Sequence, residues 1–385
     1  MKLQWTGLAA AAVAGVIALS ACGTDNNNSA GSGSNAGDSA SATSAVSAPG
    51  QSGAGSAGPI DCVNGTLKSD GSTAQQNAMT QWIKDYQSQC PKSTVNYGGG
   101  GSGQGITDFT NGQVDFAGSD AALDPTKGEV DAAAKACGSP ALDLPMVTGP
   151  IAIGYNLNNL QDLVFTPDVL AKIFTGQITV WNDPAIAAIN SAVTLPSTKI
   201  TVFNRSDQSG TTQNFEKYLA ATAPSVWTAE PSKQWAGTGQ GKQGNQLVGQ
   251  AIQTTAGGIG YVEWSYAIQN NLAIGQIDNG SGPVALTADS VAKAVAAAQP
   301  APNGPGDLTL KLDYATTADG AYPIVLVTYE IVCSKYANPQ TGALVKSFLT
   351  YIASSAAQDS VHDLGYAALP ASVQAQVQAA VATIS

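Results

Sequence analysis

The sequence predicts an α/β protein with mainly parallel sheets and length enough for two domains, with a pair of crossing strands between them as one reading of its two longest apolar runs. Short β-rich runs alternate with helical patterns from residue 60 onward, the arrangement that builds strand–helix–strand units. The chain has 385 residues, which at roughly 100–200 residues per domain suffices for two. Two long, nearly uncharged runs, 145–155 and 322–332, bracket about 170 residues of α/β sequence. Strands that leave a first domain and later return to it would read this way, although two ordinary core strands fit the same pattern.

In chain order, the β-rich runs place strands over 63–68, 94–97, 115–117, 151–156, 200–204, 260–263 and 324–332. Between them lie helices over 73–89, 167–175, 213–221 and 288–298. The first carries its larger apolar residues, Met79, Trp82, Ile83 and Tyr86, at helical spacing. The Ala-rich last one has Val291 and Val295 four apart, as an amphipathic helix does. No repeat of 20–50 residues is present.

Hydrophobic residues make up 43% of the chain and aromatics 6%, enough for a folded interior. Charged residues are only 11%, against a usual figure of about 25%. With 42 Gly and 19 Pro, this points to a loop-rich chain plus a low-complexity segment. A net charge of −11 argues against nucleic acid as a partner, since a phosphate backbone needs clustered Lys and Arg. The single histidine, His362, rules out multi-histidine metal sites and leaves little room for Ser-His or Cys-His nucleophilic catalysis. Composition favours binding over chemistry, with no metal and no cofactor expected.

Residues 1–21 read as a signal peptide. Lys2 precedes a small and apolar stretch from Gly7 to Ala21, shorter than the ~20 residues a membrane-spanning helix needs. The stretch ends in Leu19-Ser20-Ala21-Cys22, which resembles the lipobox of bacterial lipoproteins. That resemblance implies cleavage before Cys22 and lipid on its sulfur, anchoring the protein at the outer face of the cytoplasmic membrane. Residues 23–58 are mostly Gly, Ser, Ala, Asn and Thr and cannot bury enough surface to offset their ordering entropy. Together, 22–58 form a lipidated cysteine and a flexible tether of roughly 30–36 Å reach.

Cys62, Cys90, Cys137 and Cys333 remain, and two disulfides could join them in three ways. Cys62 opens an apolar run and Cys90 closes the helix that follows. A helix after a strand runs back along it, so Cys62–Cys90 is favoured and Cys137–Cys333 is left; four buried thiols are the alternative.

Four loops are candidates for holding an anion: 69–74, the glycine-rich 98–105 ahead of a helix beginning near Ile106, 118–120, and 205–211. Gly, Ser and Thr at helix N-termini leave backbone N–H groups free and closely approachable. Gly98, Gly100 and Gly103 satisfy G-x-G-x-x-G, but no suitable acidic residue marks a ribose site, and no G-x-x-x-x-G-K-[ST] P-loop exists. Helix capping alone explains any one of these loops. Their joint occurrence with one Arg and few other charges raises the anion-binding reading.

The segments GSGQGITDFTNGQVDFAGSDAAL (101–123), VFNRSDQSGTTQNFEKYL (202–219) and GGIGYVEWSYA (257–267) resemble the phosphate-binding lipoprotein of bacterial phosphate ABC transporters, the PstS family. So do FTPDVLAKIFTGQITVWNDPAI (165–186) and GYAALP (365–370), and the cysteine placement and tether are similar to the actinobacterial branch. The resemblance implies a two-domain, type II periplasmic-binding-protein fold, with 59–149 and 320–385 as one domain, 150–319 as the other and the ligand in the cleft. It implies inorganic phosphate as ligand, ABC permease membrane subunits as partners, a monomer, and no enzyme activity.

Carried over position by position, the family's ligands fall on nine residues. Thr73 and Ala74 would offer helix N-terminal N–H groups, and Ser102 its hydroxyl and N–H. Asp120 would accept the phosphate's own proton. Arg205 would supply the cation and Asp207 orient it, while Ser209, Gly210 and Thr211 would form a last helix-terminal nest. A sulfate or molybdate carrier is the nearest rival, and Asp120 speaks against it because those anions carry no proton at neutral pH. An extracellular phosphatase would need Ser102 as nucleophile with no histidine nearby in sequence. A surface adhesin would not require four convergent loops.

Overall fold

The computed structural model describes residues 60–158 and 160–385. The signal segment, Cys22 and the tether lie outside them. A nine-stranded sheet organises the chain. From one edge its strands are Ser93–Gly98, Gly65–Gly71, Phe116–Ser119, Val325–Cys333, Ala141–Tyr155, Gly258–Glu263, Thr201–Arg205 and Gln240–Lys242, with Ala273–Ile274 also paired to Ala141–Tyr155.

The expectation of mainly parallel sheets holds only for the flanks. There the strands are parallel, as strand–helix–strand connections require. At the centre, Val325–Cys333 runs antiparallel to both Phe116–Ser119 and Ala141–Tyr155, and the latter runs antiparallel to Gly258–Glu263. One central strand carries the chain from the first flank to the second and the other brings it back, so the two adjacent passes run in opposite directions. Ala141–Tyr155 serves both flanks. Ala141 to Pro150 pair with the returning strand, and Ile151 to Tyr155 pair with Gly258–Glu263. Pro145 and Pro150 have no N–H to give the ladder, and the register slips opposite Thr328 and Tyr329, leaving Met146 unpaired.

The buried core follows this division. One cluster gathers Leu67, Trp82, Phe116, Leu144 and Phe348, and a second gathers Ile151, Phe165, Phe174, Phe215 and Tyr261. Helix Gln76–Gln89 turns Ala78, Met79, Trp82 and Tyr86 into the first cluster at the three-and-four spacing of an amphipathic face. Trp82 buries its ring and donates its Nε1–H to the Ala357 carbonyl at 2.7 Å.

Both disulfides form in the expected pairing, with Cα separations of 5.3 Å for Cys62–Cys90 and 5.4 Å for Cys137–Cys333. Several boundaries differ from expectation. The first strand extends to Gly71, because it has a parallel partner on each side, and so takes in Ser69 and Asp70. The helix expected from Thr73 starts at Gln76, so Thr73 and Ala74 occupy the turn before it. The helix expected near Ile106 starts at Ser102, drawing two of the loop glycines into its first turns. Packing overrides their low helix propensity.

Candidate functional site

The anion-loop candidates meet at one place, beyond the carboxyl ends of the parallel strands, where ligands of open α/β sheets bind. Gly71 leads into the Ser72–Gln75 turn, Ser119 into Asp120, and Arg205 into the loop before helix Gly210–Thr222. Gln240–Lys242 leads into helix Gly244–Thr254. Each junction thus delivers polar groups or free helix-terminal N–H groups to a common point.

Asp120 lies at the centre with 2% of its surface exposed. Its Oδ2 accepts a hydrogen bond from the Thr211 hydroxyl at 3.1 Å, and its Oδ1 accepts one from the Thr328 hydroxyl at 2.9 Å. Its own N–H donates to Ser102 Oγ at 3.1 Å, which leaves the Ser102 hydroxyl proton free for another acceptor. Burial holds the Asp120 carboxyl above the ordinary range, while the hydroxyls of Ser72 and Thr328, the Arg205 charge and the Thr211 hydroxyl pull it back.

Arg205 is also 2% exposed. Its guanidinium engages both carboxylate oxygens of Asp207, through Nε at 2.8 Å and through Nη2, and it donates from Nη1 to Thr211 Oγ1 at 3.5 Å. Asp207 is partly buried, which raises its pKa, but the hydrogen bonds and charge of Arg205 hold it below the usual carboxylate value. The ion pair also accepts the Gly244 N–H at 3.0 Å, fixing the guanidinium against a second helix start.

Ser209 caps its helix by accepting the Thr212 N–H at 3.2 Å. Gly210 lies so close to the opposite loop that a Cβ there would sit 2.6 Å from Ser102 Oγ. Gly103 is equally constrained: it donates its N–H to the Gln208 carbonyl at 3.0 Å, and a Cβ would meet Gln208 Cβ at 2.4 Å. The glycine-rich loop therefore allows two backbones to approach each other, which explains it without a dinucleotide.

Eight of the nine carried-over residues join this network. Thr73 enters through Asn245, whose N–H and Nδ2 donate to Thr73 Oγ1 at 3.2 and 3.0 Å. Ala74 stands apart: its N–H goes to Ser72 Oγ at 2.9 Å and its carbonyl accepts from the Tyr366 hydroxyl at 2.7 Å. Sequence reasoning missed Asn245 and Thr328. Asn245 also reaches Thr211 Oγ1 at 3.5 Å and accepts the Glu263 N–H at 3.0 Å, tying three elements together. Its signal was the Gly244-Asn245 pair at a strand–helix junction; Thr328, inside a β-branched run, carried none.

A cradle of hydroxyls, helix starts, one arginine and one buried carboxylate suits a tetrahedral anion that brings a proton. Comparison with known proteins agrees with this chemistry. The family model of the PBP superfamily domain matches residues 49–356. The phosphate-binding protein PstS 2 of Mycobacterium tuberculosis is 43% identical over 392 residues, covering 100% of both chains. PstS 3 of Mycobacterium leprae is 40% identical, again over 100% of both. The chain belongs to the PstS family of phosphate-binding proteins. A more distant PstS, from Methanocaldococcus jannaschii, is 31% identical over 80% of this chain and 83% of its own. Among solved structures, the periplasmic phosphate-binding protein PfluDING matches with a TM-score of 0.65 at 21% identity, covering 83% of this chain and 93% of that one. The phosphate-binding protein of Stenotrophomonas maltophilia matches with a TM-score of 0.63 at 17% identity, covering 82% and 93%. These likenesses show the type II periplasmic-binding-protein fold.

Proposed function

We propose that this protein binds inorganic phosphate outside the cytoplasmic membrane and delivers it to the membrane subunits of an ABC permease. Asp120 carries the reading. A buried carboxylate beside an anion is repulsive unless a proton lies between them, and both monobasic and dibasic phosphate bring one. In this reading Thr73, Ser102, Arg205, Ser209, Gly210 and Thr211 donate to the anion, and Asp207 orients Arg205. Ala74 would contribute only if its N–H left Ser72. Hydrogen bonds to charged groups contribute about 1.5–3 kcal/mol each. Five or six suffice for about −8 to −12 kcal/mol, micromolar to nanomolar binding, so local donors outweigh the protein's acidic balance.

We assign 59–149 with 320–385 to one lobe and 150–319 to the other, so that Thr73, Ser102 and Asp120 face Arg205 through Thr211 across a cleft. Hydrogen bonds from Thr211 to Asp120 and from Asn245 to Thr73, and the 2.8 Å Lys233–Glu129 ion pair, then span the lobes and would latch the closed form that the permease reads. Lipid on Cys22 would hold this monomer at the membrane; detergent partitioning that persists after Cys22→Ser would contradict the anchor.

Calorimetric titration with phosphate and sulfate tests the function. Saturable phosphate binding at one site per chain, with sulfate far weaker, is the expected result. Preference for sulfate, or release of phosphate from a phosphomonoester, would overturn it.

A further inference from the structure

We propose that Glu330, on the returning central strand, is a positioning residue of the phosphate cradle: as a neutral acid it donates its proton to Gln75 and so sets the direction of a hydrogen-bond chain that ends at the Ser72 turn. Glu330 has 0% of its surface exposed, and neither carboxyl oxygen has a hydrogen-bond partner among the described residues. It forms no ion pair among them either. Gln75 is also 0% exposed, and its buried Oε1 likewise lacks a partner. The strand register brings the two side chains together. Glu330 stands opposite Gly118, and a Cβ at Gly118 would lie 2.0 Å from Gln75 Nε2 and 2.5 Å from the Tyr97 hydroxyl oxygen. Unpartnered acceptors side by side lack one proton, and a protonated Glu330 supplies it.

From Gln75 the chain leads to the cradle. Gln75 Nε2 donates to the Tyr97 hydroxyl at 3.0 Å, and Tyr97 donates to the Ser72 carbonyl at 2.8 Å. Ser72 Oγ accepts the Ala74 N–H at 2.9 Å and helps to hold the Asp120 carboxylate. Loss of the Glu330 proton would reverse the chain. Gln75 would turn its amide nitrogen to the new carboxylate, its oxygen would take the Tyr97 proton, and the Ser72 carbonyl would lose its donor. The surroundings keep the proton in place: burial pushes the Glu330 carboxyl up to about 8, with the Gln75 amide opposing and the Asp120 charge adding. Tyr97, on strand Ser93–Gly98, is held neutral too, by burial first and then by Glu330, with Asp120 and Asp70 adding and Gln75 opposing. The turn is therefore held while Glu330 keeps its proton and is released as pH rises through its folded-state value.

This role rests on phosphate being the cradle's ligand, and two measurements separate the role from the ligand. Infrared difference spectra between the wild type and Glu330→Gln, taken at neutral pH without phosphate, should show the loss of a protonated carboxyl band. Loss of carboxylate bands instead would overturn the proposal whatever the ligand. Phosphate is then titrated calorimetrically at about pH 6.5 and about pH 9.5, and comparing proteins at one pH cancels the ligand's own titration. Glu330→Gln offers Gln75 an amide donor at either pH, so wild-type affinity relative to this variant should fall at least about tenfold between the two. Glu330→Leu, neutral but without a donor, should bind at least about fivefold more weakly than Glu330→Gln at both. A wild-type ratio that stays level with pH, or equal binding by the two variants, would overturn the positioning role. Absence of phosphate binding in all three proteins would overturn the phosphate reading and the role with it, while the infrared result would still decide where the proton lies.

Discussion

The two flanks of the sheet are held together by different means. Around the strand Gly65–Gly71, both disulfides tie the structure, and Cys90, Cys137 and Cys333 sit within the first core cluster. Around the strand Thr201–Arg205 the core is aromatic: Phe215 lies 4.9 Å from Phe174 and 4.8 Å from Tyr261 between ring centroids, and Trp235 lies 5.1 Å from Tyr261. The disulfides stabilise their flank away from the proposed anion site. The aromatic cluster does touch it, because the Tyr261 hydroxyl accepts the Arg205 N–H at 3.1 Å and bonds the Thr212 hydroxyl at 2.7 Å. Covalent staples thus stabilise one side, while on the other the packing that stabilises the core also sets the cation in place.

This contrast breaks if the aromatic side proves neutral to binding. Phe215→Ala should cost about 3–5 kcal/mol of stability by opening a cavity beneath Tyr261, measured by denaturant unfolding. It should also weaken phosphate binding, because Arg205 loses a fixed support. Replacing Cys137 and Cys333 together by Ser should cost ~2–4 kcal/mol in the same assay, and phosphate affinity should stay within about twofold. Equal effects of the two changes on affinity would erase the difference between the flanks. Arg205→Ala sharpens the contrast from the ligand side. It should leave the fold intact and weaken phosphate binding at least about 100-fold, close to 2.7 kcal/mol, since Asp207 is left as an unpaired charge beside an anion.

Strand–helix alternation, the paired cysteines and the Arg205–Thr211 loop were legible in the sequence because each has a local cause: hydrophobic period, thiol count, or hydroxyl and glycine at a helix start. The antiparallel centre was not, since apolar runs such as 145–155 carry no sign of strand direction. The helix start at Ser102 was hidden by glycines whose role, close approach to Gln208, depends on a loop about a hundred residues away. Thr328 was invisible for a similar reason. Its hydroxyl finds Asp120 only because the returning strand pairs with Phe116–Ser119, bringing Tyr329 opposite Ser119.

The central claim is that Asp120 distinguishes a protonated oxyanion from one without a proton. Competition titration of phosphate against sulfate, on the wild type and on Asp120→Asn, tests it directly. The amide keeps the size of the carboxylate but can turn a donor toward either anion, so the variant should still bind phosphate. Its phosphate-to-sulfate preference should fall at least about tenfold, or about 1.4 kcal/mol. An unchanged preference would mean that Asp120 serves only to join Thr211 and Thr328, and that sulfate is refused by some other group.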